Sequence, residues 1–365
     1  MNTSRRLALL TLGGGAALLA ATRRARSASP YDFRGRVVVI TGGSRGLGFL
    51  LAQRFAVEGA QLALLARDEP TLTSAAERLR VQGATVLTVS CDVGDQGAIE
   101  AAITQVAAHY GRLDVLVNNA GLIQVGPLAH MTGADFARAL DVHFWGAFHA
   151  INAALPALRR QAESRVVNIA SVGGRLAVPH LAPYSASKFA LIGLSDALRA
   201  ELARDKIRVT TVSPGLMRTG SPPNALFKGQ RRAEYRWFAI MDALPLTSID
   251  AGRAADQIVA ACRLGRPELT ISWQARAAVL ANALFPTLTA RLVNGATALL
   301  PRPALMDGDA AQPGWRNPDP LASSPLTTLS ARATATNNEE VASRPAHPSD
   351  HRGTQRGDGA RTENL

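Results

Sequence analysis

"VVVITGGSRGLG", residues 37–48, joins a run of β-branched apolar residues to a glycine-rich turn, which opens an apolar stretch with helical spacing. Gly42, Gly46 and Gly48 let the backbone turn sharply and approach a ligand closely. The N-terminus of the helix that follows offers unpaired N–H groups and the positive end of a dipole to a phosphate. A glycine-rich turn between a strand and a helix therefore predicts a dinucleotide-binding site.

The rest of the chain repeats this alternation of strands and helices. The apolar runs that predict strands are RVVVI (36–40), QLALLA (61–66), TVLTVS (85–90), LDVLVN (113–118), RVVNIA (165–170), IRVTTVS (207–213) and ELTIS (268–272). Helical patterns cover residues 46–58, 71–82, 95–110, 133–160, 185–204 and 250–263. Most of the apolar runs are too uniformly apolar for a sheet with one wet face. The pattern therefore predicts an α/β fold: a single doubly wound parallel sheet, Rossmann-like, with helices on both faces.

Composition divides the chain into four parts. Residues 1–33 form an apolar anchor or signal-like segment, and residues 34–272 form the predicted Rossmann-fold domain, which includes a lid over residues 221–249. Residues 273–300 are rich in Ala and Leu and predict a helical extension. Residues 301–365 are rich in Pro, Ser, Thr, Asp, Asn and Gly, so we expect a disordered tail.

The N-terminal part contains sixteen uncharged residues, 7–22, between Arg5-Arg6 and Arg23-Arg24. A helix of that length spans ~24 Å, which is short of the ~30 Å hydrocarbon core of a membrane. This favours a short anchor in which residues 5–26 contact the membrane and the catalytic domain stays in the cytoplasm. The Ser-Arg-Arg start leaves export to the periplasm by the twin-arginine route as the alternative, and a disordered leader as another.

Charge and cysteine content exclude several classes of function. The net charge is +12, but residues 1–36 hold seven Arg and one Asp, which gives +6, and the remainder is dispersed. Without a basic stripe interleaved with aromatic residues, we expect no nucleic-acid partner. Cys91 and Cys262 lie far apart with no histidine cluster nearby, so we expect two buried thiols rather than a disulfide framework or a metal site.

"LAPYSASKFALIG", residues 181–193, places a tyrosine four residues before a lysine. On a helix, Tyr184 and Lys188 share one face, and an ammonium group beside a phenol favours the phenolate. The chain contains 37 Arg and only three Lys, so Lys188 stands where a compact charge with a tunable pKa is needed. The pair predicts a general acid and base for a carbonyl or alcohol oxygen, with an accidental pair on an exposed helix as the alternative.

The end of the second strand bears on the choice of cofactor. Enzymes that prefer NAD usually place a carboxylate there to bind the ribose 2′-hydroxyl. This chain has Ala66 followed by Arg67, and Arg45 lies in the glycine-rich turn. Two guanidinium groups suit a 2′-phosphate, so we expect NADP(H) to be preferred over NAD(H). Asp68 is the rival residue, although it falls beyond the end of the strand.

The motifs together identify a family. In chain order they are Thr41-Gly42-x-x-x-Gly46-x-Gly48, Asp92, Asn118-Asn119-Ala120-Gly121, Ser171, Tyr184, Lys188, and Pro214-Gly215 with Thr219. In this order and spacing the chain resembles a single-domain short-chain dehydrogenase/reductase over residues 34–272. The resemblance implies hydride transfer between a nicotinamide and a carbonyl or alcohol, without a metal, and we expect a homodimer or homotetramer.

The resemblance also implies a role for each matched position. Tyr184 would be the acid and base, Ser171 would hold the substrate oxygen, and Lys188 would bind the nicotinamide ribose and lower the pKa of the tyrosine. The other positions expected to bind the cofactor are Gly42, Ser44, Arg45, Gly46, Leu47, Gly48, Arg67, Asp92, Val93, Asn119, Ala120, Gly121, Pro214, Gly215 and Thr219.

One position departs from the family pattern. The family usually has Asn in the helix after the fourth strand, where it holds a water on the proton path to the lysine, and this chain has His143. Histidine can bind a water through a ring nitrogen, so His143 is expected to be catalytic, with a packing role as the alternative. Because histidine titrates near pH 6.5, a water-binding His143 would add an acidic limb to the rate profile.

The substrate is less closely defined by the sequence. The lid contains seven large apolar or aromatic side chains, which favour a lipophilic ketone, aldehyde or alcohol: Leu226, Phe227, Tyr235, Trp237, Phe238, Met241 and Leu244. The same side chains would also suit a core or a dimer interface, and Arg175 with His180 would suit an anionic substrate. A catalytically impaired NADP-binding scaffold protein is the alternative function, and an epimerase or dehydratase is disfavoured by the glycine spacing.

Overall fold

The seven apolar runs form one parallel sheet in the computed structural model, which describes residues 30–245, 247–320 and 327–339. The strands are β1 (Val37–Thr41), β2 (Gln61–Ala66), β3 (Val86–Ser90), β4 (Val115–Asn118), β5 (Ser164–Ile169), β6 (Ile207–Pro214) and β7 (Glu268–Ile271). Their order across the sheet is β3-β2-β1-β4-β5-β6-β7, and every neighbouring pair is parallel. The order reverses between β1 and β4, where open α/β sheets bind their ligands.

Helices cover both faces of the sheet, which confirms the predicted fold class. They are α1 (Gly46–Val57), α2 (Glu69–Val81), α3 (Gln96–Tyr110), α4 (Gly133–Leu140), α5 (Gly146–Arg159), α6 (Ala182–Glu201), α7 (Arg231–Ala243) and α8 (Ala251–Arg263). Alternate residues of β1 point into different cores: Val38 and Ile40 pack with α1, α2 and α8, whereas Val37 and Val39 pack with α3 and α5. This alternation follows from the two-residue period of a strand and explains why the whole run is apolar.

The predicted helix over residues 133–160 is interrupted by a π-helical turn at Asp141–Trp145, between α4 and α5. The turn directs His143 inward, where its side chain is buried. Gly146 follows the turn, and a Cβ atom there would lie 2.6 Å from the carbonyl oxygen of Val93. The glycine therefore lets the helix pack directly against the backbone after β3.

The extension after β7 contains two helices, α9 (Trp273–Leu284) and α10 (Pro286–Ala296). Pro286 separates them because proline lacks an N–H group and disfavours helical geometry in the preceding residue. Large apolar side chains stay exposed on both helices and their junction: Trp273, Leu280, Leu284, Phe285, Leu288 and Leu292. Among the described residues, no helix is long and apolar enough to cross a membrane.

The tail is ordered where the structure describes it, so the expectation of disorder is wrong for residues 301–320 and 327–339. Gln312–Pro313 pairs with Leu226–Phe227 of the lid, and α11 (Thr328–Thr336) lies farther along. The polar composition misled the prediction because its groups have distant partners. The carboxylate of the buried Asp319, for example, accepts hydrogen bonds from Arg232 and Arg236 of α7. The predicted anchor, residues 5–26, lies outside the described residues, as does the end of the tail.

Candidate active site

A cleft of about 480 Å³ lies at the carboxyl ends of the central strands. All of the residues that the sequence singles out for catalysis or cofactor binding line it, from both sides of the switch between β1 and β4. They are Gly42, Ser44, Arg45, Gly46, Leu47, Gly48, Arg67, Asp92, Val93, Asn119, Ala120, Gly121, His143, Ser171, Tyr184, Lys188, Pro214, Gly215 and Thr219.

The glycine-rich turn has the geometry that a phosphate site needs. Gly42 has a φ of +64°, and a side chain at Gly48 would overlap the carbonyl group of Gly42. The side chain of the N-cap residue, Arg45, does not cap the first turn of α1. The turn is fixed from behind, because the amide of Asn119 donates to the carbonyl groups of Thr41 (3.0 Å) and Gly42 (3.1 Å).

The three predicted catalytic side chains meet at the end of β5. Ser171 follows that strand, and α6 carries Tyr184 and Lys188 one turn apart. A Cβ atom on Gly173 would lie 3.3 Å from the ring of Tyr184 and 3.4 Å from the hydroxyl oxygen of Ser171, so both side chains border the same small space. The Nζ atom of Lys188 lies 5.7 Å from the centre of the Tyr184 ring.

Burial dominates the electrostatics of this group. It lowers the pKa of Lys188 to about 7 and raises the pKa of Tyr184, while the hydrogen bond with Ser171 acts to lower the pKa of the tyrosine. The pKa of Tyr184 is thus raised, which is opposite to the expected direction. The physical reason is that the lysine is itself buried and donates to the carbonyl of Ile169 at 2.8 Å.

Both ring nitrogens of His143 are bonded within the protein. Nε2 accepts from the backbone N–H of Leu122 at 3.1 Å, and Nδ1 lies 2.7 Å from the hydroxyl of Ser187. That hydroxyl donates to the carbonyl of Tyr184, so Nδ1 carries the proton and donates to Ser187. Burial, aided by the charge of Lys188, holds the pKa of His143 well below its usual value. The expected water-binding role is wrong, because neither nitrogen has a position left for a water.

The two arginines expected to bind a 2′-phosphate line the cleft, Arg45 in the glycine-rich turn and Arg67 directly after β2. Nη1 of Arg67 lies 3.8 Å from a carboxylate oxygen of Asp92, and both side chains are exposed. Asp68, the rival residue, caps α2 by accepting from the backbone N–H of Thr71 at 3.0 Å. The carboxylate of Asp68 is thus engaged in starting a helix.

Fewer of the large apolar side chains of the lid line the cleft than its composition suggested. Of its seven large apolar residues, only Leu226 lines the cleft, whereas Phe227, Tyr235 and Phe238 pack together in a small core of their own. The two residues considered for an anionic substrate are bonded elsewhere and do not line the cleft: Arg175 pairs with Glu268 and His180 with Glu234.

Several lining residues carried no signal in the sequence. Leu122, Ile123, Met217 and Ala225 add apolar groups to the cleft, and Arg138, Ser221 and Asn224 add polar groups. Glu339, from the tail, also lines the cleft. Arg138 lies on α4 and Met217 on a short strand, Leu216–Arg218, and no motif distinguishes any of these residues.

Comparison with known proteins agrees with this geometry. The family model described as short chain dehydrogenase matches residues 36–225. A dehydrogenase/reductase SDR family protein 7-like of Anopheles gambiae is 38% identical over 198 residues, which are 53% of this chain and 62% of the relative. The 11-beta-hydroxysteroid dehydrogenase 1A of Arabidopsis thaliana is 37% identical over 198 residues, 54% of this chain and 56% of the relative. The match thus spans less than two thirds of either relative.

Other relatives are covered more completely. Dehydrogenase/reductase SDR family member 7B of Bos taurus is 33% identical over 234 residues, 62% of this chain and 70% of the relative. A short chain dehydrogenase/reductase from Burkholderia phymatum, solved with NAD, is 26% identical with a TM-score of 0.65, over 71% of this chain and 96% of that one. L-sorbose reductase from Gluconobacter frateurii, solved with NADPH and L-sorbose, shares the fold at 24% identity and a TM-score of 0.59. The match covers 66% of this chain and 97% of the reductase.

Proposed function

The chain belongs to the short-chain dehydrogenase family, and from that membership we propose that it is an NADP-dependent oxidoreductase for a lipophilic carbonyl compound or secondary alcohol. One observation carries the proposal: Ser171, Tyr184 and Lys188 line the same cleft as the glycine-rich turn. A substrate and a dinucleotide bound there would meet the proton donor Tyr184, the hydrogen-bond donor Ser171 and a phosphate-binding turn in one place.

The residues of the cleft fit a nicotinamide dinucleotide. The close backbone at Gly48 and the start of α1 suit a pyrophosphate, and Lys188 lines the same cleft, where an ammonium group can donate to a ribose hydroxyl. Such a dinucleotide, when bound, supplies or takes the hydride.

The proton chemistry belongs to the protein. In reduction, the hydroxyl of Tyr184 donates its proton to the carbonyl oxygen, which Ser171 holds by a hydrogen bond; in oxidation, the phenolate of Tyr184 takes the proton from the alcohol. Lys188 stabilises the phenolate when it is charged, and a bound anionic cofactor favours that charged form. His143 keeps Tyr184 in place through Ser187 rather than taking part in the transfer.

The preference for NADP(H) rests on Arg45, Arg67 and Ala66. A 2′-phosphate can accept bidentate hydrogen bonds from guanidinium groups, and Ala66 offers no carboxylate to a free 2′-hydroxyl. The engagement of Asp68 as a helix cap supports the same choice. The known structures in complex include both NADPH and NAD, so binding measurements decide the question.

The lipophilic substrate is supported by apolar side chains that line the same cleft as Tyr184: Leu122, Ile123, Met217, Ala225 and Leu226. A panel of ketones and aldehydes of increasing chain length, assayed by oxidation of NADPH, tests the proposal. We expect kcat/KM to rise with the apolar surface of the compound. A preference for small polar or charged carbonyl compounds would contradict the lipophilic substrate while leaving the oxidoreductase intact.

Contact with a membrane, with the catalytic domain in the cytoplasm, is proposed on two grounds. The first is the charge pattern of residues 5–26. The second is the pair α9 and α10, which exposes large apolar side chains and whose only charged residues are Arg276 and Arg291. Apolar helices with only cationic charges suit the surface of an anionic bilayer. A processed form in the periplasm is the alternative, and fractionation distinguishes the two.

Two other expectations remain proposals. A homodimer or homotetramer is expected, and mass measurement in solution tests it. The alternative function, a catalytically impaired scaffold that binds NADP, had its support in His143 alone. The bonds of His143 to Leu122 and Ser187 weaken that support, because they hold the site together. Binding of NADPH without turnover of any compound in the panel would favour the scaffold.

A further inference from the structure

The end of the described chain lies across the mouth of the cofactor cleft. We call residues 327–339 the strap: Thr327, helix α11 and the three residues that follow it. The backbone N–H of Gly46 donates to the carbonyl of Asn337 at 2.8 Å, and the side-chain amide of Asn337 donates to the carbonyl of Thr219 at 3.0 Å. The strap thus connects the glycine-rich turn on one side of the cleft with the loop after β6 on the other.

Asn338 fixes the strap beside the glycine-rich turn. Its amide nitrogen donates to the carbonyl groups of Ser44 (2.8 Å) and Thr71 (3.2 Å), and its amide oxygen accepts from Arg78 at 3.3 Å. Its φ is +58°, a left-handed conformation that asparagine adopts more readily than most residues. These bonds hold the residue between α2 and the glycine-rich turn.

Glu339 places a carboxylate at the start of α1. The side chain is buried, and it accepts a hydrogen bond from the amide of Asn224 at 2.6 Å. One carboxylate oxygen lies 3.8 Å from the guanidinium of Arg45, and a Cβ atom on Gly46 would lie 2.5 Å from the other. An anion at the N-terminus of a helix is bound by the dipole and the free N–H groups, in the way that a phosphate is bound.

A second contact anchors the strap away from the cleft. The hydroxyl of Ser330 donates to the buried carboxylate of Asp242 on α7 at 3.0 Å. A Cβ atom on Gly220 would lie 2.6 Å from the Cα atom of Thr334, so α11 packs directly on the backbone before the lid. Neither Ser330 nor Asp242 lines the cleft.

We propose that the strap is an intramolecular competitor of the dinucleotide, with Glu339 occupying the position that a cofactor phosphate takes. The inference rests on the proposed function only in that the cleft binds a nicotinamide dinucleotide. A carboxylate and a pyrophosphate cannot share the first turn of α1, because both are anions and Glu339 already lies against Gly46 and Arg45. Glu339 therefore sets the apparent affinity for the cofactor, which is the intrinsic affinity reduced by the fraction of molecules whose strap is docked.

Competition of this kind has a specific signature. The docked strap excludes either dinucleotide. A variant in which the strap docks more weakly should therefore bind NADPH and NADH more tightly, by the same factor. Glu339→Gln removes the competing charge at the cleft, and Ser330→Ala removes the anchor outside it. Glu77→Gln is the matched control for charge, since Glu77 is an exposed carboxylate on the neighbouring helix α2. An electrostatic effect without competition would tighten binding in Glu339→Gln but not in Ser330→Ala.

The experiment measures dissociation constants for NADPH and NADH by calorimetry on the full chain and these three variants. We expect Glu339→Gln and Ser330→Ala to bind both dinucleotides about threefold more tightly or better, with Glu77→Gln unchanged. Hydrogen exchange gives the second measurement: on addition of NADPH, amides of residues 328–339 should exchange faster while those of α3 should not.

Unchanged or weaker binding by Glu339→Gln, tighter binding in that variant alone, or slower exchange in residues 328–339 with NADPH would overturn the inference. Failure of all four proteins to bind either dinucleotide would overturn it as well. Equal affinities for NADPH and NADH, with the effects of the variants preserved, would overturn only the proposed preference for NADP.

Discussion

The Nζ atom of Lys188 donates to the backbone carbonyl of Ile169 at 2.8 Å, which ties the lysine of α6 to the end of β5. This bond holds the ammonium group 5.7 Å from the centre of the ring of Tyr184, the tyrosine proposed to transfer the proton. It also keeps the lysine buried, which brings its pKa down to about 7. The charge of Lys188 thus depends on what occupies the cleft.

Binding of a dinucleotide should therefore favour the protonated form of Lys188. At about pH 8 the side chain of Lys188, with a pKa of about 7, is mostly neutral. An anionic ligand raises that pKa, so the binding of NADPH should be accompanied by the uptake of about one proton or less. Calorimetry in buffers of different ionisation enthalpy measures the uptake. We expect the affinity to fall as the pH rises above about 7, and we expect Lys188→Met to abolish most of the uptake. Proton uptake that is the same in this variant would assign it to another group.

His143 should leave the shape of the pH profile unchanged. Its pKa lies well below the usual value, so the ring stays neutral over the range in which enzymes are commonly assayed. Turnover measured from about pH 5 to about pH 9 should have the same profile in the wild type and in His143→Asn. An acidic limb present in the wild type and absent from His143→Asn would restore a catalytic role for the histidine.

Removal of the His143 side chain should weaken the site through its positioning. His143→Ala breaks the bonds to Leu122 and Ser187 and leaves a cavity, so we expect a loss of about 2 kcal/mol or more in the free energy of unfolding. Denaturation by urea measures it. A wild-type stability would show that the two hydrogen bonds contribute little.

Arg67 should discriminate between the two cofactors. We expect NADPH to bind at least about tenfold more tightly than NADH. Arg67→Ala should lose most of this difference by weakening the binding of NADPH alone, because the proposed partner of the Arg67 guanidinium is the 2′-phosphate. Arg80→Ala serves as a control with the same loss of charge, since Arg80 bonds to the carbonyl of Val86 and does not line the cleft. An unchanged preference in Arg67→Ala would remove that arginine from the cofactor site.

The exposed helices α9 and α10 should bind vesicles. We expect the protein to float with vesicles of phosphatidylcholine and phosphatidylglycerol, and the double variant Leu284→Glu, Leu288→Glu to bind them about tenfold more weakly, because two charges are added to the apolar surface. The exposed pair Val57→Glu, Val81→Glu, on α1 and α2, is the control. An equal loss of vesicle binding in both double variants would indicate a general effect of charge. If the protein forms a stable dimer that is lost on mutation of Leu284 and Leu288, the surface is an interface between two copies of the chain.

The sheet and most of the cleft could be predicted because their signals are local. Apolar runs such as residues 61–66 and 207–213 show strands buried on both faces, and the glycine-rich turn shows where the first helix begins. The spacing of Tyr184 and Lys188 is a property of one helix. Each of these features is determined by residues that lie close together in the sequence.

The features that were missed depend on distant partners. Asn338 bonds to Ser44, which lies 294 residues earlier, and Asn337 bonds to Thr219, which lies 118 residues earlier. No periodicity marks such contacts, so a polar segment that folds on the protein looks the same as one that does not. The sign of the pKa change at Tyr184 was missed for a related reason, because the cost of burial depends on the whole fold and not on the spacing to Lys188.

The central claim is that Tyr184 transfers the proton. With the best carbonyl compound of the panel and saturating NADPH, we expect Tyr184→Phe to reduce kcat by about 100-fold or more, the scale of lost acid and base catalysis. Its dissociation constant for NADPH should stay close to that of the wild type, because the ring is retained and the hydroxyl faces the substrate. Turnover of Tyr184→Phe at the wild-type rate would contradict the account.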